Sequence, residues 1–299
     1  MIATHFCVEM QKGCWPYDKK QQRDRIMKLI QKILVFSLLG VIAVVVAFDI
    51  WGAMTLGRIT PSTDASRDAN ANKVVMVLGA TGSVGDGLLK AAMDDTEVDQ
   101  VFVLSRRVSP RIEKGLASGR VEMYLHQDYT DYSALIDVLA EVNTVLWGLG
   151  TSSLNVDDAT YSLIHVDFPL AFVRAWLAAR TEGPMSFHYI TGMGTDAEGS
   201  EHWAREKGRA ELELAALAEG TPLRTFGYRS AFVRPTSERS NAFHYLLEML
   251  LRPGKLVISA KELGDAMLEI SARTDELANG TLIDNADSIA FARVSVPHR

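Results

Sequence analysis

The sequence contains very little cysteine and carries no excess of positive charge. Only two of its 299 residues are cysteines, Cys7 and Cys14, and both precede a long apolar run. The region after that run can therefore hold neither an internal disulfide nor a thiolate zinc site, and cysteine catalysis is excluded there. The formal net charge of -6 gives no general attraction to phosphate backbones. We expect no nucleic-acid partner.

Several catalytic signatures are also missing from the sequence. There is no GxSxG nucleophile elbow, and the glycine-rich loop that begins at Gly79 lacks the Gly-Lys-Ser/Thr ending of a P-loop. The seven histidines show neither HxH nor HxxxH spacing. These absences argue against a serine hydrolase, a P-loop nucleotide hydrolase and a metal site.

The longest apolar run is the first feature that is present. Ile33–Phe48 is uncharged, and the run continues beyond Asp49. Residues 29–57 can cross a hydrocarbon core of ~30 Å at a rise of ~1.5 Å per residue. A water-soluble helix would need a polar face, which Ser37 alone does not provide. We therefore predict a single-pass transmembrane anchor at residues 29–57.

The flanks of the anchor suggest how it is used. Met27 opens a stretch typical of a signal anchor, so residues 1–26 could be an upstream extension; the whole of residues 1–28 is predicted as an extension of cytoplasmic type. Because no small-x-small cleavage site is evident, we expect the anchor to be retained. Residues 58–72 are mostly small or polar, combine Pro, Ser, Asp and Asn, and predict a flexible linker. A domain of about 230 residues follows at 73–299.

A strand, a glycine loop and a helix begin this domain. Lys73–Leu78 is a short, mostly β-branched run, GATGSVG follows it, and apolar residues then recur at helical spacing. In that context Gly79 permits the tight turn, Gly82 lets the backbone approach a pyrophosphate, and Gly85 allows close packing of helix on strand. The helix N-terminus would face the phosphates with its unpaired N–H groups. This arrangement predicts a dinucleotide site.

The end of the second strand indicates which dinucleotide. Val101–Leu104 is followed by Arg106 and Arg107, where proteins that select NAD usually place an acidic residue for the ribose 2′-hydroxyl. Arginine instead accommodates a 2′-phosphate, so NADP is predicted over NAD. Two adjacent side chains at a strand end cannot both point at one ligand, so one arginine could be simply solvated.

Strands and helices then alternate to the end of the domain. Such alternation implies an α/β fold with a doubly wound parallel sheet and ligands across the carboxyl ends of its strands. A smaller C-terminal lobe is expected from about residue 232. The residues expected at the strand ends are Asp128, Gly148, Gly150 and Thr191.

Together these motifs resemble the short-chain dehydrogenase/reductase superfamily, with its Rossmann-type sheet. They look most like its atypical NAD(P)H-binding branch, related to NmrA and to the Tat-interacting oxidoreductase. The resemblance covers about residues 73–292. It implies that the phosphates are lined by Thr81, Gly82, Ser83 and Val84 and that the 2′-phosphate is bound by Arg106 and Arg107. It implies further that the adenine is contacted by Asp128 and Tyr129 and that the dinucleotide lies along Gly148, Leu149 and Gly150.

The same resemblance implies a catalytic pair that is altered here. The family uses a tyrosine four residues before a lysine on one helix face, so that the lysine holds the nicotinamide ribose and lowers the pKa of the tyrosine. Lys207 matches the lysine, but Trp203 stands where the tyrosine belongs. An indole N–H has no useful acidity near neutral pH. Thr191 keeps a hydroxyl where the family often has serine. His202, Tyr189 and Tyr228 are substitute donors that more simply have ordinary packing or surface roles.

One late helix has an unusual composition. Asn241–Leu251 is apolar nearly all round, and we expect a buried helix of the C-terminal lobe. A lid over an apolar pocket, a membrane-proximal helix and a partner surface are the alternatives.

These observations predict a membrane-anchored NADP(H)-binding protein, a reductase or isomerase-like oxidoreductase that works without the usual tyrosine. The alternative is a non-catalytic NAD(P)H sensor or assembly protein with an unidentified substrate or protein partner. Basic residues are denser before the anchor than after it, which places the domain on the non-cytoplasmic side. Nicotinamide nucleotides are chiefly an intracellular pool, which favours the cytoplasm, so the side stays open.

Overall fold

The computed structural model describes residues 19–295. Cys7, Cys14 and most of the predicted N-terminal extension lie outside the described residues. The chain divides into two compact units, Met1–Phe48 and Asp49–Arg299.

The long apolar run forms a helix, as predicted, and the helix is longer than the predicted segment. Helix α1 spans Lys19–Thr55, and within it Gln22–Thr55 is long and apolar enough to cross a membrane, with a mean hydropathy of 2.8 over a window of 18 residues. A second stretch, Asp158–Ala179, also reaches the required length, with a mean hydropathy of 1.3 over a window of 18 residues. It is partly buried within the second unit, as expected for a core helix.

Strands and helices alternate through the second unit. The strands are β1 Val74–Leu78, β2 Gln100–Ser105, β3 Val121–Leu125, β4 Thr144–Trp147, β5 Met185–Ile190, β6 Leu223–Arg229, β7 Phe232–Arg234, β8 Val257–Ser259 and β9 Thr281–Asp284. The helices are α2 Ser83–Asp94, α3 Pro110–Ala117, α4 Ile136–Glu141, α5 Asp158–Ser162, α6 Phe168–Ala179, α7 His202–Ala218, α8 Ala242–Leu251, α9 Ala260–Ala272 and α10 Asn285–Ser295. A short 3-10 turn, Ser133–Leu135, precedes α4, and a π-helical turn, Leu163–Asp167, joins α5 to α6.

The main sheet is parallel and doubly wound, as predicted. Its seven strands lie in the order β3-β2-β1-β4-β5-β6-β9. The strand order therefore reverses between β1 and β4. The carboxyl ends of strands at such a switch point form the crevice in which α/β proteins bind ligands.

Side-chain alternation along the strands builds two apolar layers. In β1, Val75 and Val77 join one buried cluster with side chains of α2, α9 and α10. Met76 and Leu78 join the other cluster, with side chains of α4, α6 and α7. Both faces of the sheet are thus covered, which explains why the strands are continuous apolar runs in the sequence.

Residues 58–72 differ from the flexible linker that their composition predicts. The backbone N–H groups of Arg58 and Ile59 donate to Asp287 Oδ1 at 2.8 and 2.9 Å. Farther along, Arg67 pairs with the buried Glu269 at 2.6 Å. The polar composition reflects backbone and side-chain bonds to distant residues of the same unit, which local sequence does not reveal.

From residue 232, where a smaller lobe is expected, the chain forms β7, α8 and β8, and β7 pairs with β8 in a separate two-stranded sheet. The chain then returns to the main sheet through α9, β9 and α10. The expectation that Asn241–Leu251 forms a helix is confirmed, but the expectation that this helix is buried is wrong. Helix α8 forms, with Asn241 as its N-cap, but every residue in it is at least partly exposed.

Candidate functional site

The loop between β1 and α2 depends on close backbone packing. Gly79 has φ +73°, a conformation that L side chains rarely adopt, and a Cβ there would overlap the carbonyl oxygen of Gly148. A Cβ on Gly85 would overlap the carbonyl oxygen of Gly79. A Cβ on Gly82 would lie 3.3 Å from Gly79 O, a tight contact that is much less severe than the overlaps at Gly79 and Gly85. Gly79 and Gly85 therefore shape the loop, while Gly82 leaves an open cradle on its surface.

A cleft of about 350 Å³ runs along the carboxyl ends of β1, β2 and β4. Strand ends that are far apart in sequence meet there because neighbouring strands are parallel. The cleft is lined by Gly79, Thr81, Gly82, Ser105, Arg106, Arg107, Tyr129, Gly148, Leu149 and Gly150.

One end of the cleft is basic. Arg106 and Arg107 are both exposed after β2. Burial raises the pKa of Tyr129 above its usual value, and the nearby positive charge of Arg106 opposes that shift. Arg107 is held through its backbone, since Ser105 Oγ donates to the Arg107 carbonyl oxygen at 2.8 Å. Arg106 is therefore the arginine whose charge acts beside Tyr129.

Ser83, Val84, Gly85 and Asp128 lie outside the residues that line the cleft. The first three form the first turn of α2, which has Gly82 as its N-cap and, within the described chain, no side-chain cap. Its first N–H groups thus remain available to an anion. The Asp128 carboxylate accepts hydrogen bonds from Thr130, which lower its pKa. Asp128 is therefore occupied in ordering its own loop.

Lys207 and Thr191 are in direct contact. Lys207 Nζ donates to the main-chain oxygen of Thr191. Thr191 Oγ1 donates to Glu211 Oε1 at 2.7 Å, and Glu211 also pairs with Arg229 at 2.7 Å. Burial lowers the pKa of Lys207 to about 8, although the charge of Glu211 opposes the shift. The ammonium group is thus ready to lose its proton slightly above neutral pH.

Trp203 lies one helical turn before Lys207 on α7, and its indole lies 3.5 Å from the position of a Cβ on Gly194. The substitute donors considered above have other roles. Tyr189 Oη donates to His165 O at 2.6 Å, and Tyr228 Oη bonds His188 Nδ1 at 2.8 Å. Both tyrosines are fully buried, and burial raises the pKa of each well above its usual value.

His202 is the third of these donors, and it is tied to α5. Its Nε2 atom lies 3.3 Å from Ser162 Oγ and 3.2 Å from the main-chain oxygen of Asp158. It therefore bridges α7 to α5.

His165, to which the sequence motifs assign no role, lies beneath the cleft. A Cβ on Gly150 would be 2.8 Å from His165 Cε1, and His165 Nε2 is 2.9 Å from Thr151 O. The Tyr161 ring packs on the imidazole with centroids 4.2 Å apart. Burial and the charge of Lys207 lower the pKa of His165 to about 4. It is neutral at physiological pH and supports the floor of the cleft.

Sequence reasoning missed a charged cluster behind the glycine loop. Asp86, in the first turn of α2, accepts from Arg111 at 3.0 Å and from Thr236 Oγ1 at 2.7 Å. Arg239 lies 3.7 Å from Asp86 and donates to the Thr81 carbonyl oxygen at 3.1 Å. This cluster joins residues about 150 positions apart, so no local motif could have revealed it. Over residues 19–295 no group of three or more His, Cys, Asp or Glu side chains is placed to hold a metal ion.

Solved structures with this fold are short-chain dehydrogenases and reductases. L-sorbose reductase from Gluconobacter frateurii, complexed with NADPH and L-sorbose, superposes with a TM-score of 0.56 over 74% of this chain and 97% of that one, at 13% identity. A 3-oxoacyl-[acyl-carrier protein] reductase from Brucella melitensis, in complex with NAD, gives 0.53 over 73% and 97%, at 17% identity. These similarities show that this chain shares the fold of those enzymes.

The names of the curated sequence relatives state no reaction. Leucinostatins biosynthesis cluster protein T of Purpureocillium lilacinum is 25% identical over 143 residues, 48% of this chain and 51% of that protein. The mitochondrial protein FMP52 of Eremothecium gossypii is 28% identical over 144 residues, 48% of this chain and 59% of that protein. The chain thus spans about half to three-fifths of the length of these curated relatives. No family model matches the sequence.

Proposed function

We propose that this protein binds NADP(H) in the cleft along β1, β2 and β4. The observation that carries the proposal is that Arg106 and Arg107 lie on the same cleft as the glycine loop. An acidic residue at this strand end would repel a 2′-phosphate, whereas an arginine binds it. Neighbours in fold have been solved with NAD or with NADPH.

The residues present fit such a ligand. The cradle above Gly82 and the first N–H groups of α2 would hold the pyrophosphate, Arg106 the 2′-phosphate, and Tyr129 the adenine side. Lys207 would hold the nicotinamide ribose. When bound, the nicotinamide supplies or accepts a hydride. The protein would orient the ring over Gly150 and His165 and keep the lysine charged near neutral pH.

For the activity we propose a reductase or isomerase-like oxidoreductase of the atypical branch, working without the tyrosine of the usual mechanism. A second candidate is a non-catalytic NADP(H) sensor or assembly protein. Two observations favour this second candidate. Trp203 stands where the proton-donating tyrosine would be, and Thr191 Oγ1 donates its hydrogen to Glu211. The proton that a carbonyl substrate would need then has no obvious source.

We also propose that α1 anchors the protein in a membrane. Its length and hydropathy support this, and several sequence relatives carry the word mitochondrial in their names. Flanking charges favour the domain on the non-cytoplasmic side, and cofactor supply favours the cytoplasm. Protease protection of the domain in intact organelles would decide the side.

The nucleotide proposal is tested by fluorescence titration of the full chain in detergent with NADPH and with NADH. We expect NADPH to bind at least about tenfold more tightly, a difference of ~1.4 kcal/mol. Arg106→Asp should remove this preference. Arg174→Asp makes the same charge change at an exposed position of α6 and should leave it intact. Equal affinities in the unaltered protein would refute the choice of NADP(H), and no binding of either nucleotide would refute the site.

A further inference from the structure

Helix α8 presents apolar side chains to the outside. Residues 244, 247, 248 and 251 repeat at helical spacing and are half-buried against the domain. The opposite side is exposed, with Met249 at 65%. We call this side the outer face of α8; it consists of Phe243, Leu246, Met249 and Leu250.

The charged contacts of α8 point the other way. Glu248 pairs with Arg234 of β7 at 2.7 Å, and the Arg234 guanidinium also lies 5.1 Å from the centre of the Tyr245 ring. These contacts fix α8 to the two-stranded sheet. The pattern is thus the reverse of an ordinary surface helix, whose apolar side faces the core and whose polar side faces water.

The end of α8 adjoins the end of the anchor helix. Gly52 and Gly254 are both buried, and a Cβ on Gly52 would overlap the carbonyl oxygen of Gly254, so the two backbones are in direct contact. Leu251, the last residue of α8, is three positions from Gly254 and so at most ~11 Å away. The last residue of α8 therefore lies close to the final turns of α1, from Asp49 to Thr55, which belong to the same unit as α8.

We propose that the outer face of α8 inserts into the interfacial layer of the same bilayer that α1 crosses. This rests on the membrane anchor proposed above. Exposed apolar side chains on a short helix beside a transmembrane segment gain by entering the headgroup and acyl boundary. Arg252 follows the helix with its side chain 75% exposed, and it is placed to meet lipid phosphates.

Depth measurements on the full chain in vesicles of phosphatidylcholine and phosphatidylglycerol test this. In a Cys7→Ser, Cys14→Ser background, an environment-sensitive fluorophore is attached to Met249→Cys. Leu212→Cys on α7 is the matched control, because Leu212 is also helical and exposed to 64%. Val41→Cys within α1 reports anchor insertion. Quenching is measured with nitroxide-labelled acyl chains and, separately, with aqueous iodide.

We expect lipid nitroxides to quench the probes at Met249 and Val41. We expect iodide to quench the Leu212 probe about three times as strongly as the Met249 probe, or more. Lipid quenching at Val41 with iodide quenching at Met249 equal to that at Leu212 would overturn the proposal for α8 while leaving the anchor intact. Protection of Met249 from both quenchers would also overturn it, because a second copy or another protein would then cover the face. Failure of lipid quenching at Val41 and Met249 alike would remove the anchor as well.

Discussion

Lys207 donates a hydrogen bond from Nζ to the main-chain oxygen of Thr191, so the helix that carries the family lysine is tied to the end of β5. Burial lowers the pKa of this lysine to about 8 from the ordinary 10.5. If the ammonium form holds the nicotinamide ribose, NADPH affinity should fall as the pH rises through about 8. Kd values measured from neutral to alkaline pH check this.

Lys207→Met should bind more weakly at neutral pH and lose that pH dependence, whereas Lys114→Met, at an exposed lysine of α3, should keep it. The folded state also holds fewer protons than the unfolded chain between about pH 8 and 10.5, so the contribution of Lys207 to the free energy of unfolding rises over that range. An unchanged pH profile in Lys207→Met would show that the lysine does not contact the nucleotide.

Replacing Gly82 and replacing Gly85 by alanine should affect different properties, nucleotide binding in the first case and stability in the second. Gly82 has φ -83°, which alanine adopts, and its Cβ would lie 3.3 Å from Gly79 O, a tight contact that needs a shift of only a few tenths of an ångström. Gly82→Ala should therefore lower the thermal stability much less than Gly85→Ala does but weaken NADPH binding about tenfold or more, because a methyl group would fill the phosphate cradle. Gly85→Ala forces a shift of the Gly79 backbone and should lower the free energy of unfolding by ~1–3 kcal/mol. Thermal melts with and without NADPH separate the two effects; a Gly82→Ala protein that binds normally would place the phosphates elsewhere.

The segment 58–72 should be protected from proteolysis, because hydrogen bonds and ion pairs hold it to the domain. Glu269 is 2% exposed, pairs with Arg67 at 2.6 Å and accepts from Arg273 Nε at 2.7 Å. Glu269→Gln removes the buried carboxylate that these two guanidinium groups share, while Arg67 keeps Glu97 and Arg273 keeps Glu276. The free energy of unfolding should therefore fall by ~1–3 kcal/mol. Trypsin should then cleave the segment faster, as followed by mass spectrometry of the fragments.

A surface pair provides the control for that experiment. Lys73 and Asp99 lie 3.3 Å apart, with Asp99 65% exposed, and exposed pairs contribute only ~0–1 kcal/mol. Asp99→Asn should leave both the unfolding curve and the cleavage rate unchanged. Equal cleavage in the Glu269→Gln and unaltered proteins would mean that the ion pairs do not hold the segment.

The glycine loop could be predicted because strand, loop and helix are contiguous, and its chemistry follows from local spacing. The Asp86 cluster could not be, since Thr236 and Arg239 approach α2 only after the chain has passed through the first six strands of the main sheet. Helix α8 was predicted as a helix but placed in the core, because an apolar pattern on all sides does not say which side the domain covers. The residues 58–72 show the same limit, since their partners lie more than 200 positions away.

Trp203 decides between an oxidoreductase and a nucleotide sensor. The indole lies one turn before Lys207, so Trp203→Tyr would place a phenol where the family has its acid, next to a lysine whose charge lowers the pKa of a phenol. Positioned acid–base catalysis contributes ~10²–10⁴-fold, so NADPH oxidation with an aromatic aldehyde or an ortho-quinone should rise by about that factor. Trp203→Phe has a ring but no hydroxyl and should show no gain. Substantial turnover in the unaltered protein would contradict the sensor. A Trp203→Tyr protein that binds NADPH normally but stays inactive would mean that Thr191, whose hydroxyl is engaged by Glu211, cannot assist the new phenol.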